Sequence, residues 1–227
     1  MLKYALQMTT NAMIGKPAPD IQVAQWVQGE PVNFSSQKGR VVLVEVFQVN
    51  CPGCFVHALP EAQQLHQRYS EQGLTVVGLA TAFEDFDKNT LENLEHFVAT
   101  GELCGDPRQQ LGKAGLLQDN KLDYSLRFPI GMDRLMKNTA EVRTDAIEAF
   151  IIQQLPDYPS WPDERKQPVY EKASSYLAGR SHRALTFETY KLQGTPSSIL
   201  VDRDGILRAV SFGYVHHLEP LIKDLLK

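Results

Sequence analysis

The sequence has only three cysteines, and two of them, Cys51 and Cys54, belong to a single Cys-x-x-Cys motif. Three cysteines are too few for a disulfide scaffold of the kind that stabilises small secreted domains. No apolar run approaches the length of a membrane span. Basic residues are not in excess either, since 23 Lys and Arg stand against 27 Asp and Glu, giving a net charge of −4. A nucleic acid or an anionic membrane would require a basic face, so we expect neither as a partner.

The 227 residues are 43% hydrophobic and 22% charged, which is ordinary for a soluble globular protein. A chain of this length can bury a sizeable core as one domain with insertions. Residues 1–13 lack a continuous apolar core and do not resemble a signal peptide. We therefore expect a cytoplasmic protein with a catalytic cysteine pair.

Residues 41–54 organise the rest of the chain. Seven residues, Val41–Phe47, are apolar except for Glu45, as expected of a strand buried on both faces. Cys51-Pro52-Gly53-Cys54 follows, and beyond it apolar residues recur at helical spacing. A strand, a short turn and a helix with Cys-x-x-Cys at its start form a redox motif in an α/β protein.

The start of a helix suits thiol chemistry. The thiolate is the nucleophile in thiol–disulfide exchange, and a free cysteine with a pKa of ~8.5 supplies little of it at neutral pH. Unpaired N–H groups and the positive end of the helix dipole favour the thiolate. Pro52 fits the first helical position because its missing N–H would have no partner there. Cys51 is therefore the expected attacking thiol, and Cys54 the resolving one.

Two other interpretations of the motif compete. A structural disulfide closing so small a loop would remove little entropy from the unfolded chain. A zinc site usually needs a second pair of ligands, and the chain offers only His57, His66 and the lone Cys104. A c-type haem site is excluded because Phe55, rather than histidine, follows the second cysteine. Redox catalysis is the favoured interpretation.

The remaining pattern predicts an α/β fold. A second buried strand is predicted at Leu74–Ala80, which implies a right-handed parallel crossover from the first. An Asp-Gly turn joins residues 197–202 and 206–212 into a hairpin, and a helix closes the chain. We also predict a small N-terminal β-hairpin whose returning strand is residues 32–34, an irregular segment at 101–126, and a helical insertion without strands at 133–183.

Several motifs together resemble the thioredoxin-like superfamily. They are Cys-Pro-Gly-Cys after a buried strand, Gly194-Thr195-Pro196 before a hairpin and a terminal helix, and the opening run of residues 14–20. The opening run is similar to the redoxin branch, which comprises the alkyl hydroperoxide reductase/thiol-specific antioxidant and thioredoxin-like oxidoreductase families. The resemblance implies a thioredoxin-like α/β fold with a central mixed sheet flanked by helices. It implies one domain over residues 1–227, with 133–183 as an insertion before the cis-proline strand.

The resemblance also implies roles for individual residues. Cys51 would be the nucleophile and Cys54 the resolving cysteine. Pro196 would be the cis-proline, with Thr195 facing the disulfide and pairing with the substrate backbone. Glu45 would be the buried acid that moves the proton of the resolving thiol. The turn residues Pro52 and Gly53 complete the expected substrate-binding set.

Two residues depart from the thioredoxin pattern. Pro60 follows Cys54 at a distance one residue longer than in common thioredoxins, and Asn50 replaces their usual tryptophan.

The pattern typical of peroxiredoxins around the peroxidatic cysteine is Pro-x-x-x-Thr-x-x-Cys. In this sequence Val44 and Gln48 occupy the proline and threonine positions of that pattern. We therefore favour a thiol–disulfide oxidoreductase. A thiol-dependent peroxidase and a non-enzymatic redox-sensing binding protein stay as alternatives.

The expected partners are protein or small-molecule disulfides and, as electron donor, a thiol protein or glutathione. We expect no metal and no cofactor. Glu45 could instead be an acid at a strand edge paired with a lysine, and His57 is read as a histidine on the helix surface. His216-His217 could be metal ligands, and Cys104 is either a lone thiol or a second resolving cysteine.

Overall fold

A computed structural model describes residues 13–139, 142–213 and 218–227. Its strands are β1 (Val23–Gln28), β2 (Val41–Phe47), β3 (Leu74–Ala80), β4 (Ile130–Asp133), β5 (Leu135–Lys137), β6 (His182–Ala184), β7 (Ser197–Val201) and β8 (Leu207–Phe212). Six of them form a mixed sheet with the order β1-β4-β3-β2-β7-β8, and the short strands β5 and β6 pair with each other.

Strand β2 lies in the middle of this sheet, and all seven of its residues are buried. It pairs in parallel with β3 and antiparallel with β7. The predicted strands at Val41–Phe47 and Leu74–Ala80 and the parallel crossover between them are therefore confirmed. The predicted hairpin is also present as β7 and β8, whose turn contains Gly205 at a φ of 81°.

The structure also has seven α-helices among the residues it describes. They are α1 (Leu59–Tyr69), α2 (Leu91–Thr100), α3 (Gly105–Lys113), α4 (Thr144–Gln154), α5 (Asp163–Gly179), α6 (Leu185–Thr189) and α7 (Glu219–Leu226). One face of β2, with Leu43 and Phe47, shares a core cluster with residues of α1, α2, α3 and α7. The other face, with Val44 and Val46, packs in a second cluster that includes Phe187 of α6. The mixed sheet flanked by helices confirms the predicted fold class.

The predicted N-terminal hairpin is wrong. Strand β1 pairs antiparallel with β4 at the edge of the main sheet, and Phe34–Gln37 form a 3-10 helix instead of a returning strand. Asn33 Oδ1 accepts a hydrogen bond from Ser36 N–H at 2.8 Å, and Asp20 Oδ1 accepts one from Phe34 N–H at 3.1 Å. Because these side chains satisfy the backbone locally, the segment has no need of a strand ladder.

The expectation that residues 101–126 are irregular is also wrong, since they contain α3. The sequence of α3, GDPRQQLGK, has two glycines and a proline and little apolar periodicity. Cys104, the N-cap residue that precedes α3, makes no side-chain cap. The first turn is instead capped from outside the segment, by Asn50, a contact that local sequence cannot reveal.

The polypeptide divides into two compact units, one of which holds the six-stranded sheet while the other is Met136–Arg183. This second unit contains α4 and α5 and has its own core, formed by Ile147, Ile151, Tyr158 and Ala173. It contains the predicted helices, but it begins and ends in the strands β5 and β6, which the sequence did not indicate. The assignment of residues 1–227 to one domain stays a prediction.

In the part of the chain that the structure describes, no helix is both long enough and apolar enough to cross a membrane.

Candidate active site: the Cys51–Cys54 dithiol

The two cysteines lie where β2 meets its helix. Residues 48–50 leave the carboxyl end of β2, and a helix begins immediately after Cys51. In open α/β sheets, sites form at the carboxyl ends of the strands, where loops rather than strands supply the side chains. The motif therefore lies at the carboxyl end of a central strand, the position where active sites form in such sheets.

Cys51 and Cys54 form a disulfide, with their Cα atoms 5.4 Å apart. That separation lies in the normal range for a disulfide. Cys54 is completely buried in the core cluster beneath α1, whereas Cys51 is partly exposed. Of the two cysteines, Cys51 is therefore the one that faces solution.

The first helical turn directs a hydrogen-bond donor at the accessible sulfur. The N of Cys54 lies 3.3 Å from Cys51 Sγ, and the same N–H donates to Cys51 O at 3.1 Å. Pro52 and Gly53 form the turn between the two cysteines, and both are partly exposed. A hydrogen bond to a thiolate stabilises the charged form, and the positive end of the helix dipole adds to that effect. The Cys54 N–H is thus placed where it can donate to the sulfur of Cys51.

The loop before β7 lies against the same sulfur. The Thr195–Pro196 peptide bond is cis, and Thr195 O is 3.7 Å from Cys51 Sγ. The Thr195 hydroxyl donates to Gln48 Oε1 at 3.3 Å, which ties this loop to the end of β2. The structure thus brings together Cys51, Cys54, Thr195 and Pro196, which are separated by more than 140 residues in the chain.

Glu45 lies in the interior of β2 and is completely buried. Side chains alternate along a strand, so Glu45 projects to the same face as Leu43 and Phe47, the face whose core cluster contains Cys54. Its Oε2 accepts a 2.8 Å hydrogen bond from Ser198 Oγ, and its Oε1 has no partner among the described residues. Burial raises the pKa of this carboxyl well above its ordinary value, an effect that the Ser198 hydrogen bond only partly opposes.

Asn50, the residue before Cys51, is a centre of hydrogen bonding that the sequence did not reveal. Its N–H donates to Asn89 Oδ1, and its side-chain amide donates to Asp85 Oδ2, both at 2.8 Å. Its Oδ1 accepts from Asp106 N–H at 2.8 Å, in the first turn of α3. Asn50 therefore links the dithiol to the loop after β3 and to α3. The only sequence signal was the asparagine itself, in place of tryptophan.

The position of Pro60 also has a structural explanation. Cys54–Ala58 form a π-turn ahead of α1, in which Leu59 N–H donates to Cys54 O, five residues back. A π-turn holds one residue more than the corresponding α-helical turn. This extra residue accounts for the longer spacing between Cys54 and Pro60. The spacing was visible in the sequence, but the π-turn was not predicted.

The other candidates lie outside this arrangement or are not described. His57 is exposed on the helix surface, as the sequence indicated. Cys104 is a half-buried free thiol just before α3, and burial raises the pKa of its thiol. His216 and His217 fall outside the described residues. Within 13–139, 142–213 and 218–227, no group of three or more His, Cys, Asp or Glu side chains is placed to hold a metal ion.

A mixed sheet with a dithiol at the start of a helix and a cis-proline loop beside it defines a thioredoxin-like redoxin. The sequence model of the AhpC/TSA family matches residues 14–144, which is more than half of the chain. The chain belongs to the AhpC/TSA family. The predicted membership of the redoxin branch of the thioredoxin-like superfamily is thereby confirmed.

Three known proteins are similar to this chain. A thiol-disulfide isomerase from Corynebacterium glutamicum is 27% identical, with a TM-score of 0.57, over 94% of this chain and 97% of that one. A thioredoxin-like superfamily protein shares the fold at 24% identity and a TM-score of 0.56, over 92% and 96% of the two chains. Protein FixW of Rhizobium leguminosarum is 32% identical over 78 residues, which is 34% of this chain and 34% of FixW. The match thus spans about a third of FixW.

Proposed function

We propose that this protein is a thiol–disulfide oxidoreductase that reduces or exchanges disulfides through a mixed disulfide with Cys51. One observation carries the proposal: Cys51, which is partly exposed, is bonded through its sulfur to the buried Cys54, and that sulfur lies 3.7 Å from the carbonyl oxygen of Thr195. In this arrangement Cys51 can form the mixed disulfide with a partner, while the buried Cys54 can act as the resolving cysteine. The arrangement also offers backbone groups of the Thr195 loop for pairing with an extended substrate.

The proposed reaction starts from the reduced protein. The Cys51 thiolate attacks one sulfur of the substrate disulfide, the substrate S–S bond breaks, and the leaving thiolate takes up a proton. Cys54 then loses its proton and attacks Cys51 Sγ, which releases the second substrate sulfur as a thiol and forms the Cys51–Cys54 disulfide. Two electrons and two protons have passed from the dithiol to the substrate.

Glu45 is proposed to assist the second step. The Cys54 thiol is buried and must lose its proton before it can attack. A carboxyl group with a raised pKa, located in the same core, is suited to accept a proton and to return it. Glu45 and Cys54 are both fully buried, so a carboxyl group in the same core is proposed to serve as the proton acceptor in place of bulk solvent.

The substrates are proposed to be protein or small-molecule disulfides. A thiol protein or glutathione would return the dithiol to its reduced form and so close the cycle. The isomerase activity named for the Corynebacterium glutamicum relative supports this class of substrate. The cytoplasmic location stays a prediction from the sequence.

A thiol-dependent peroxidase is the second candidate, and membership of the AhpC/TSA family favours it. The site itself favours the oxidoreductase, because Gln48 stands where the peroxidatic motif has threonine. The Gln48 side chain is buried, and it is engaged by the Thr195 hydroxyl and the carbonyl of Glu84. It is therefore held within the protein rather than presented to a peroxide.

The test is turnover of two substrates by the same preparation. Reduction of insulin disulfides with dithiothreitol should be accelerated by the wild-type protein and not by Cys51→Ser, whereas hydrogen peroxide should be consumed no faster than by Cys51→Ser. The Cys104→Ser variant serves as the control and should behave as the wild type in both assays. Rapid peroxide consumption without insulin reduction would establish the peroxidase instead. No turnover of either substrate would favour the redox-sensing protein.

A further inference from the structure

The π-turn at the start of α1 leaves one backbone carbonyl without a helical donor. The N–H of Leu59 donates to Cys54 O, so the next donor in the same pattern would be the N–H of residue 60. That residue is Pro60, which has no N–H. The carbonyl left over is that of Phe55, a residue that is only 1% exposed. A buried carbonyl of this kind must find a hydrogen-bond donor elsewhere.

Tyr124 supplies that donor. Its hydroxyl donates a 2.7 Å hydrogen bond to Phe55 O from a loop 69 residues further along the chain, between α3 and β4. The Tyr124 ring packs against the same core cluster as Phe55 and Cys54. Burial raises the pKa of the Tyr124 phenol far above its ordinary value, so the hydroxyl keeps its proton and remains a donor.

We propose that Tyr124 is a positioning residue for the dithiol: its hydrogen bond to Phe55 O holds the π-turn in the register that places Cys54 N–H against Cys51 Sγ. The inference deepens the proposed oxidoreductase function and rests on it. The Tyr124 hydroxyl bonds to the backbone carbonyl of Phe55, so its effect would pass through the backbone of residues 54 and 55.

The path from Tyr124 to the sulfur is short and continuous. Cys54 uses its carbonyl to close the π-turn with Leu59 N–H. Its own N–H donates to Cys51 O at 3.1 Å and also lies 3.3 Å from Cys51 Sγ. Phe55, the next residue, is held by Tyr124. If Phe55 O lost its donor, this turn would rearrange to recover one. The N–H of Cys54 would move with the turn, because it belongs to the same backbone.

The direction of the effect follows from what the N–H stabilises. A donor at Cys51 Sγ favours the thiolate, and therefore the reduced protein, over the disulfide. Loss of that donor should raise the pKa of Cys51 and shift the dithiol–disulfide equilibrium towards the disulfide. A protein altered in this way would be a stronger reductant with a slower attacking thiol.

The test compares Tyr124→Phe with Tyr69→Phe in the full chain. Tyr69 is the matched control, since it also loses one hydroxyl hydrogen bond, of 2.6 Å to Glu219 Oε1, but at the far end of α1. In Tyr124→Phe the iodoacetamide alkylation rate of reduced Cys51 at pH 6 should fall about threefold or more, and its midpoint should move to higher pH. Equilibration with glutathione should favour the disulfide by about threefold to tenfold, which corresponds to about 14 to 30 mV. Tyr69→Phe should change neither.

Pro60→Ala provides an independent test. It restores an N–H at residue 60, which can donate to Phe55 O in the π-turn pattern and so replace Tyr124. Adding Tyr124→Phe to Pro60→Ala should therefore shift the alkylation profile and the glutathione equilibrium much less than Tyr124→Phe does alone.

Two results would overturn the proposal. One is a Tyr124→Phe protein that melts at a lower temperature but keeps the wild-type alkylation profile and glutathione equilibrium, since Tyr124 would then be structural only. The other is a shift of the same size with and without Pro60→Ala, since Tyr124 would then act by a route other than Phe55 O. Neither measurement requires turnover of a substrate, so failure of the oxidoreductase proposal in the insulin assay would be recognised separately.

Discussion

Ser198 Oγ and Glu45 Oε2 are joined by a 2.8 Å hydrogen bond across the β2–β7 ladder, in which the two residues are paired directly. The serine holds one oxygen of the carboxyl group, while Oε1 lies buried without a partner among the described residues. A charged carboxylate is costly in such a place. The buried glutamate therefore stays protonated to a higher pH than it would in water. The stability of the folded protein and the proposed role of Glu45 in proton transfer both depend on this shift in pKa.

The Glu45→Gln variant should be more stable than the wild type at neutral pH. The pKa of Glu45 is raised in the folded state, so the folded protein binds more protons than the unfolded chain above pH 4.5, the ordinary value for glutamate. The wild type therefore loses stability as pH rises from there towards the folded pKa. Glutamine has no charge to bury, and its Oε1 can still accept from Ser198 Oγ. Each 1 kcal/mol recovered should raise Tm by about 2–4 °C.

Thermal unfolding of both proteins from pH 4 to pH 8 measures this difference. The two Tm values should converge at the acidic end and separate as pH rises. The same variant should show slower thiol–disulfide exchange with an altered pH profile, because the proposed proton acceptor is gone. Equal exchange rates for the two proteins across pH 6–9 would remove Glu45 from the mechanism, whatever the stability data show.

The parts of the fold that the sequence predicted are those that local patterns determine. Strands β2 and β3 are continuous apolar runs, and the Asp-Gly turn between β7 and β8 specifies a hairpin by itself. The start of α3 depends on Asn50 Oδ1, which accepts a hydrogen bond from the N–H of Asp106, 56 residues further along the chain. No short stretch of sequence contains both residues, so a local pattern cannot predict this contact. The π-turn was missed for the same reason, since Tyr124 stabilises it from 69 residues away.

The two cysteines should fail in different ways when each is replaced. Cys51→Ser should have no exchange activity, because the exposed attacking sulfur is gone. Cys54→Ser should still attack a substrate disulfide but should be unable to release it, since the resolving sulfur is absent. Non-reducing gels of Cys54→Ser incubated with oxidised protein should show covalent adducts that dithiothreitol removes.

Cys104→Ser is the matched control for that experiment and should form no such adducts. The peroxidase alternative makes an opposite prediction for the Cys54→Ser variant: one equivalent of peroxide should oxidise its Cys51 to a sulfenic acid. Rapid stoichiometric oxidation of Cys54→Ser by micromolar peroxide, with no protein adducts, would contradict the oxidoreductase proposal.

Asn50→Ala should loosen α3 and the approach to Cys51. Without Asn50 Oδ1, the N–H of Asp106 loses its cap, a loss that typically costs about 0.5–2 kcal/mol. Hydrogen exchange of Gly105–Lys113 should accelerate. The matched control is Asn33→Ala, which removes the Oδ1 cap from Ser36 N–H in the 3-10 helix Phe34–Gln37. This control should accelerate exchange there and leave α3 protected, and unchanged protection of α3 in Asn50→Ala would show that the cap is dispensable.

Gly105 tests how closely Asn50 and α3 are fitted together. Gly105 has a φ of 55°, and a Cβ on it would lie 2.2 Å from Asn50 Oδ1. Gly115 has a similar φ of 69°, but a Cβ there would meet nothing within 4 Å. Both Gly→Ala variants carry the strain of an L-residue at positive φ, about 1–2 kcal/mol. Only Gly105→Ala also has to displace the side chain of Asn50.

Gly105→Ala should therefore lower the free energy of unfolding by about 1–3 kcal/mol more than Gly115→Ala, as overpacking of a fitted site does. Chemical denaturation of the two variants gives this difference directly. Adding Asn50→Gly to each variant should remove the difference, because the oxygen that the Cβ meets is then absent. If the two single variants are equally stable, or if the difference survives Asn50→Gly, then the close fit between Gly105 and Asn50 does not restrain α3. Alanine at position 105 would then be an ordinary strained residue, and the link from α3 to the dithiol would rest on the Asp106 cap alone.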